Sequence, residues 1–127
     1  IQHRVMPAEM ESVAYTSAEF VEKVKRVKLA FEPGTQRLYS SGGFSVLARC
    51  LEIAAGKSFA ELLREYVFNP AGMNDSVDFD GETVMERRAQ DYYYSPNGLV
   101  NVPLKNYSFL VGAGSVYSTA KDVYRFG

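Results

Sequence analysis

Apolar residues recur at helical spacing in the first third of the chain. Thr16 followed by Glu19 forms a capping-box pattern, and Phe20, Val21, Val24 and Val27 then line one face, with lysines opposite. A short amphipathic helix is predicted there. Residues 1–15 have no sustained period and contain Pro7, so they read as a loop. Glu32, Pro33 and Gly34 break the helical pattern, since proline lacks a backbone donor and glycine permits turn dihedrals. Ser40 and Ser41 can cap a second helix from about Gly43 to Ala55, which Gly56 closes in a left-handed conformation. Its apolar residues Phe44, Val46, Leu47, Cys50, Leu51 and Ile53 cover more than one face, which predicts a central helix surrounded by other structure.

Ser58 with Glu61 repeats the capping box, and Phe59, Leu62, Leu63, Tyr66 and Val67 form one stripe of a third helix that should end before Pro70 and Gly72. The pattern then changes. Tyr92, Tyr93 and Tyr94 precede a Ser95-Pro96-Asn97-Gly98 turn followed by Leu99, Val100 and Val102, which predicts a hairpin of two short strands. Gly112, Ala113 and Gly114 lead to Ser118, whose hydroxyl can cap a last helix containing Ala120, Val123 and Phe126. A helix this short, with no stop signal beyond its terminal glycine, reads as the edge of an excerpt rather than of a domain.

Composition narrows the functional classes. The 127 residues are 46% hydrophobic and 13% aromatic, enough for one compact core. The net charge is −1, and the only basic cluster is Lys23, Lys25, Arg26 and Lys28, so a nucleic-acid partner is not expected. No apolar run approaches the ~20 residues of a membrane span, and no signal-peptide pattern follows His3 and Arg4. Cys50 has no disulfide partner and reads as a buried, inert thiol.

The chemistry centres on Phe31-Glu32-Pro33-Gly34 and Tyr39-Ser40-Ser41. A turn here delivers a tyrosine to the mouth of a helix, where its phenol can face a cleft while the ring packs beneath. On pattern alone, a core tyrosine is the simpler reading. The run from Phe31 to Met73, FEPGTQRLYSSGGFSVLARCLEIAAGKSFAELLREYVFNPAGM, resembles the segment of serine β-lactamase-like proteins in which a Phe-x-Pro-Gly turn precedes a Tyr-x-Asn motif and a helix. That family embraces class C β-lactamases, penicillin-binding DD-peptidases and related esterases. The segments ERRAQDYYYSPNGLVNVP and VGAGSVYSTAKDVYRFG are similar to its hairpin and its glycine-rich helix entry, with some likeness to the mitochondrial β-lactamase-like branch.

The resemblance implies a hydrolase acting through an acyl-serine intermediate on a small acyl substrate, without cofactor or metal. The family's serine and lysine lie on one Ser-x-x-Lys turn upstream of the tyrosine, opposite a Lys-Thr-Gly or His-x-Gly strand. Tyr39 matches the motif tyrosine, a catalytic position. A phenol with a reference pKa of about 10 relays protons near neutrality only if cations stabilise the phenolate. Ser41 stands in the substrate-binding place where asparagine is common, and its hydroxyl offers less to a substrate amide. This leaves ester or other acyl substrates open.

By this resemblance, residues 1–127 are a partial domain. They form a mainly α segment with a small β-hairpin, a helical subdomain excerpt of the α/β serine β-lactamase/transpeptidase-like fold. Tyr39 and Ser41 should lie on its cleft side. Such an excerpt should be inactive alone and self-associate through apolar surface normally covered. Its parent is expected to be an active hydrolase, in a family whose members are often exported or periplasmic. The alternative is a catalytically dead homologue serving as a binding or assembly module.

Other candidates weigh less. Ser118 and Lys121 also spell Ser-x-x-Lys, but downstream of the tyrosine, where a helix cap is the better reading. His3 has no partners for a catalytic triad or metal site. Asp75, Asp78, Asp80 and Glu82 lack calcium-loop spacing and read as a solvated acidic turn. The glycines near Gly112 should let the backbone pass close to the pocket.

Overall fold

A computed structural model describes residues 14–102 and 106–127. Most of the expected lead-in loop, with His3, lies outside them.

Helix α1 spans Ser17–Val24 and begins at a complete capping box: Glu19 N–H donates to the Thr16 hydroxyl, and Thr16 N–H donates back to the Glu19 carboxylate at 2.9 Å. Helix α2 spans Ser41–Ala55, capped by Ser40 and closed by Gly56 at φ 65°. The second capping box starts α3, Phe59–Leu63. This helix does not stop before Pro70. A π turn, Arg64–Phe68, carries it into α4, Asn69–Ala71, and the left-handed Gly72 ends it. The widened turn relieves the clash between a proline ring and the carbonyl four residues back.

Strand β1, Val77–Asp78, pairs antiparallel with β4, Val116–Tyr117, in the register Val77 to Tyr117. Strands β2, Tyr92–Ser95, and β3, Gly98–Asn101, form the predicted hairpin around Pro96 and Asn97. A 3-10 turn, Tyr107–Leu110, and helix α5, Ala120–Phe126, complete the described elements. The fold is thus mainly helical with short strands, and the β1–β4 pair adds to the hairpin.

Phe20 of α1 and Phe109 of the 3-10 turn form one buried cluster, flanked by Tyr15, Val24 and Leu110. Elsewhere Phe79 meets Tyr117 edge-on at 5.2 Å, with the Arg88 guanidinium about equally far from both rings.

Three further expectations need correction. Helix α2 is not enclosed: its small residues Ser41, Ser45 and Ala48 are buried, whereas Phe44, Leu47, Leu51 and Ile53 are exposed. The Phe109 segment covers one side, and no described element covers the large apolar face. Cys50 is consequently exposed rather than buried. The cap of α5 is Thr119, whose side chain accepts from Asp122 N–H; the neighbouring Ser118 hydroxyl instead meets that of Ser76 at 2.7 Å.

Candidate active site

Tyr39 ends the extended stretch that enters α2. Tyr39 is 65% exposed, and its ring centroid lies 6.1 Å from that of Phe44, with the planes tilted by 43°. Ser40 has extended dihedrals and accepts a 3.0 Å hydrogen bond from Gly43 N–H, which fixes the angle at which the chain enters the helix. The first turn of α2 therefore sits immediately behind the tyrosine, with the partial positive charge of a helix N-terminus. Ser41, the first helical residue, is only 7% exposed. The structure places these two residues, two positions apart, differently, with Tyr39 largely exposed and Ser41 nearly buried.

The back of α2 is braced by the segment around residues 107–114. The Ser45 hydroxyl, one turn after Ser41 and buried, donates to the Phe109 carbonyl at 3.2 Å. Gly112, at φ +75°, passes so close that a Cβ there would lie 2.8 Å from the Ala48 Cβ and 3.0 Å from the Phe44 carbonyl oxygen. The close backbone approach expected of this glycine is thus made against α2. Ser41, Ser45 and Ala48 recur at i, i+4 and i+7, a small-residue stripe that marks the braced face in an otherwise apolar helix.

A separate cleft of about 470 Å³ opens between the start of α1, α2 and β1, lined in part by Tyr15, Ser17, Glu52, Phe59, Asp78 and Ser108. Neither Tyr39 nor Ser41 lines it. The Glu52 carboxylate accepts from the Ser17 hydroxyl, from Phe59 N–H at 3.0 Å and from Arg49 at 3.2 Å, joining the starts of α1 and α3 to α2. Asp78 accepts from the buried Ser115 hydroxyl. Burial pushes the Asp78 carboxyl above the usual aspartate range; the Ser115 hydrogen bond opposes this, and the nearby Glu52 and Asp80 charges reinforce it.

The acidic turn is therefore only partly solvated. Asp80 does behave as a local turn residue, accepting from Glu82 N–H and Thr83 N–H at 2.8 Å each. Among the described residues, no group of three or more His, Cys, Asp or Glu side chains could hold a metal ion. No hydrogen bond joins Ser118 to Lys121 among them, and no helix is long and apolar enough to cross a membrane. Sequence reasoning missed Ser45, Glu52, Ser115 and Asp122, whose partners are mostly far away along the chain.

A family model described as Beta-lactamase matches residues 2–127, and the chain belongs to that serine β-lactamase and penicillin-binding-protein-like family. It is 33% identical over 112 residues to the mitochondrial serine beta-lactamase-like protein LACTB of Mus musculus, covering 87% of this chain and 20% of that protein. It is 32% identical over 99 residues to the D-alanyl-D-alanine-carboxypeptidase/endopeptidase AmpH of Escherichia coli K12, covering 78% of this chain and 24% of that protein.

Among solved structures, D-amino acid amidase from Ochrobactrum anthropi SV3, complexed with L-phenylalanine amide, superimposes with a TM-score of 0.81 at 26% identity, covering 98% of this chain and 37% of that one. The chain thus spans about a fifth to a quarter of these curated relatives and somewhat over a third of the amidase.

Proposed function

We propose that this chain supplies one wall of the active site of an acyl-serine hydrolase, with Tyr39 as the proton-relaying phenol and Ser41 on the substrate side. The parent's serine nucleophile and its lysine come from sequence other than this chain, so residues 1–127 are a partial domain without turnover of their own. The supporting observation is the exposed phenol at the capped entrance of a braced helix, in a chain of this family.

In the reaction, the parent's serine oxygen bonds to the substrate carbonyl carbon. Its proton passes by way of the phenol to the leaving amine or alcohol, and water then releases the acid. The substrate is a small acyl compound, an ester, peptide or β-lactam. Ser41 has little free surface, so its contact is a single hydroxyl at the edge of the first turn. No cofactor takes part. The apolar face of α2 is proposed to pack on the rest of the parent, and on other copies when this chain is alone.

The test is a longer parent product carrying an upstream Ser-x-x-Lys, assayed with a chromogenic cephalosporin and a short-chain nitrophenyl ester. Tyr39→Phe should lower kcat by about 10²- to 10⁴-fold while leaving the fold intact. This chain alone should show no turnover and no fluorophosphonate label on Ser118. Full activity in Tyr39→Phe, or a labelled Ser118, would overturn the proposal. A parent lacking Ser-x-x-Lys would point instead to a binding or assembly module.

A further inference from the structure

We infer that Gly112 is a positioning residue for Tyr39, acting through Phe44. The functional meaning of this inference rests on the reading of Tyr39 above, whereas the geometry stands apart from it.

Phe44 is touched from two directions. Its backbone carbonyl faces Gly112, where a Cβ would come within 3.0 Å, and its ring packs against Tyr39 at 6.1 Å. The second neighbour of Gly112 is the Ala48 Cβ, at 2.8 Å from such an atom. Neither neighbour can step aside. Ala48 is buried and has no rotamer to change, and the Phe44 carbonyl belongs to the hydrogen-bond ladder of α2. The Ser45 hydrogen bond to the Phe109 carbonyl ties the same two pieces together one residue further on, so they cannot separate freely.

A side chain at Gly112 can therefore be accommodated only by moving backbone, and the backbone moved includes Phe44. An aromatic pair near 6 Å owes its energy to ring placement, so a shift of Phe44 shifts Tyr39 with it. Gly112 differs in this respect from Gly56. Both have left-handed dihedrals, but a Cβ at Gly56 would meet nothing within 4 Å. At Gly56 only conformational freedom matters; at Gly112 the missing Cβ also sets the spacing between the glycine-rich segment and α2.

The test uses this chain labelled with 3-fluorotyrosine, the Tyr39 ¹⁹F resonance being assigned by its loss in Tyr39→Phe. Gly112→Ala should move that resonance. Gly56→Ala, which imposes left-handed strain without the contact, should leave it in place. Phe44→Leu, at a half-exposed ring, should also move it, and Ala48→Gly added to Gly112→Ala should return it toward its native position. In the longer parent, Gly112→Ala should lower kcat by about ten- to a hundredfold with KM little changed.

An unmoved Tyr39 resonance in folded Gly112→Ala overturns the inference, and so does an unmoved resonance in Phe44→Leu, which decides the matter if Gly112→Ala fails to fold. A moved resonance with unchanged kcat in both Gly112→Ala and Tyr39→Phe supports the positioning and sinks the catalytic reading of Tyr39.

Discussion

The Asp122 carboxylate accepts a 2.7 Å hydrogen bond from the backbone N–H of Asp75, 47 positions earlier in the chain. The same oxygen accepts from the Ser76 hydroxyl at 2.9 Å, and the other faces Arg125 at 3.3 Å. Arg125 in turn donates to the Gly72 carbonyl at 2.7 Å. Asp122 is fully buried, so these bonds hold α5 to the turn after α4 with little competition from water. Its removal takes the shared acceptor from the Asp75 amide and the Ser76 hydroxyl and leaves Arg125 without its carboxylate partner. Asp122→Ala should therefore cost about 3 kcal/mol in urea unfolding. Asp122→Asn, which keeps one accepting oxygen, should cost less.

Asp78 should make stability depend on pH in the sense opposite to a salt-bridged aspartate. Its folded pKa is raised, so the folded state holds the proton more tightly than the unfolded chain does. The resulting stabilisation is present at acid pH and is lost as pH rises from the ordinary aspartate value through the raised one. Asp78→Asn keeps an oxygen that can accept from Ser115 and removes the charge. It should raise the thermal midpoint at pH 7, with a gain that shrinks as pH falls through that window. A gain that grows toward acid pH would contradict this assignment.

The open face of α2 should drive association. Leu47 and Leu51 are 59% and 53% exposed, one turn apart, beside the exposed Phe44. Sedimentation velocity at rising concentration should show oligomers of the native chain. Leu47→Glu combined with Leu51→Lys should shift the distribution toward monomer while changing stability by no more than about 0.5 kcal/mol at either exposed site. A strictly monomeric native chain at high concentration would remove the expectation.

Cys50 should react with a thiol reagent such as Ellman's without denaturant, because its side chain is exposed. Protection in the native chain, relieved by urea, would place it within an interface formed by α2.

Much of the local structure was legible in the residues. The capping boxes at Thr16 and Ser58, the Gly56 stop and the turn at Pro96 and Asn97 each place donor and acceptor within a few positions, so the pattern names both partners at once. Pro70 misled the reading of α3, because a π turn upstream accommodates a ring that a regular helix excludes. Strands β1 and β4 were missed for another reason: two residues each are too short to show a period of two.

Residue order alone thus settles the helix entries, the hairpin and the tyrosine motif that marks the family, because hydrogen bonds and dihedral preferences act over a handful of neighbouring positions. It leaves open which side of α2 is covered, why Tyr39 is exposed while Ser41 is buried, and what satisfies Asp122. Those outcomes depend on Phe109, Gly112 and Asp75 arriving from distant parts of the chain, and burial is set by whatever arrives rather than by the residue being buried.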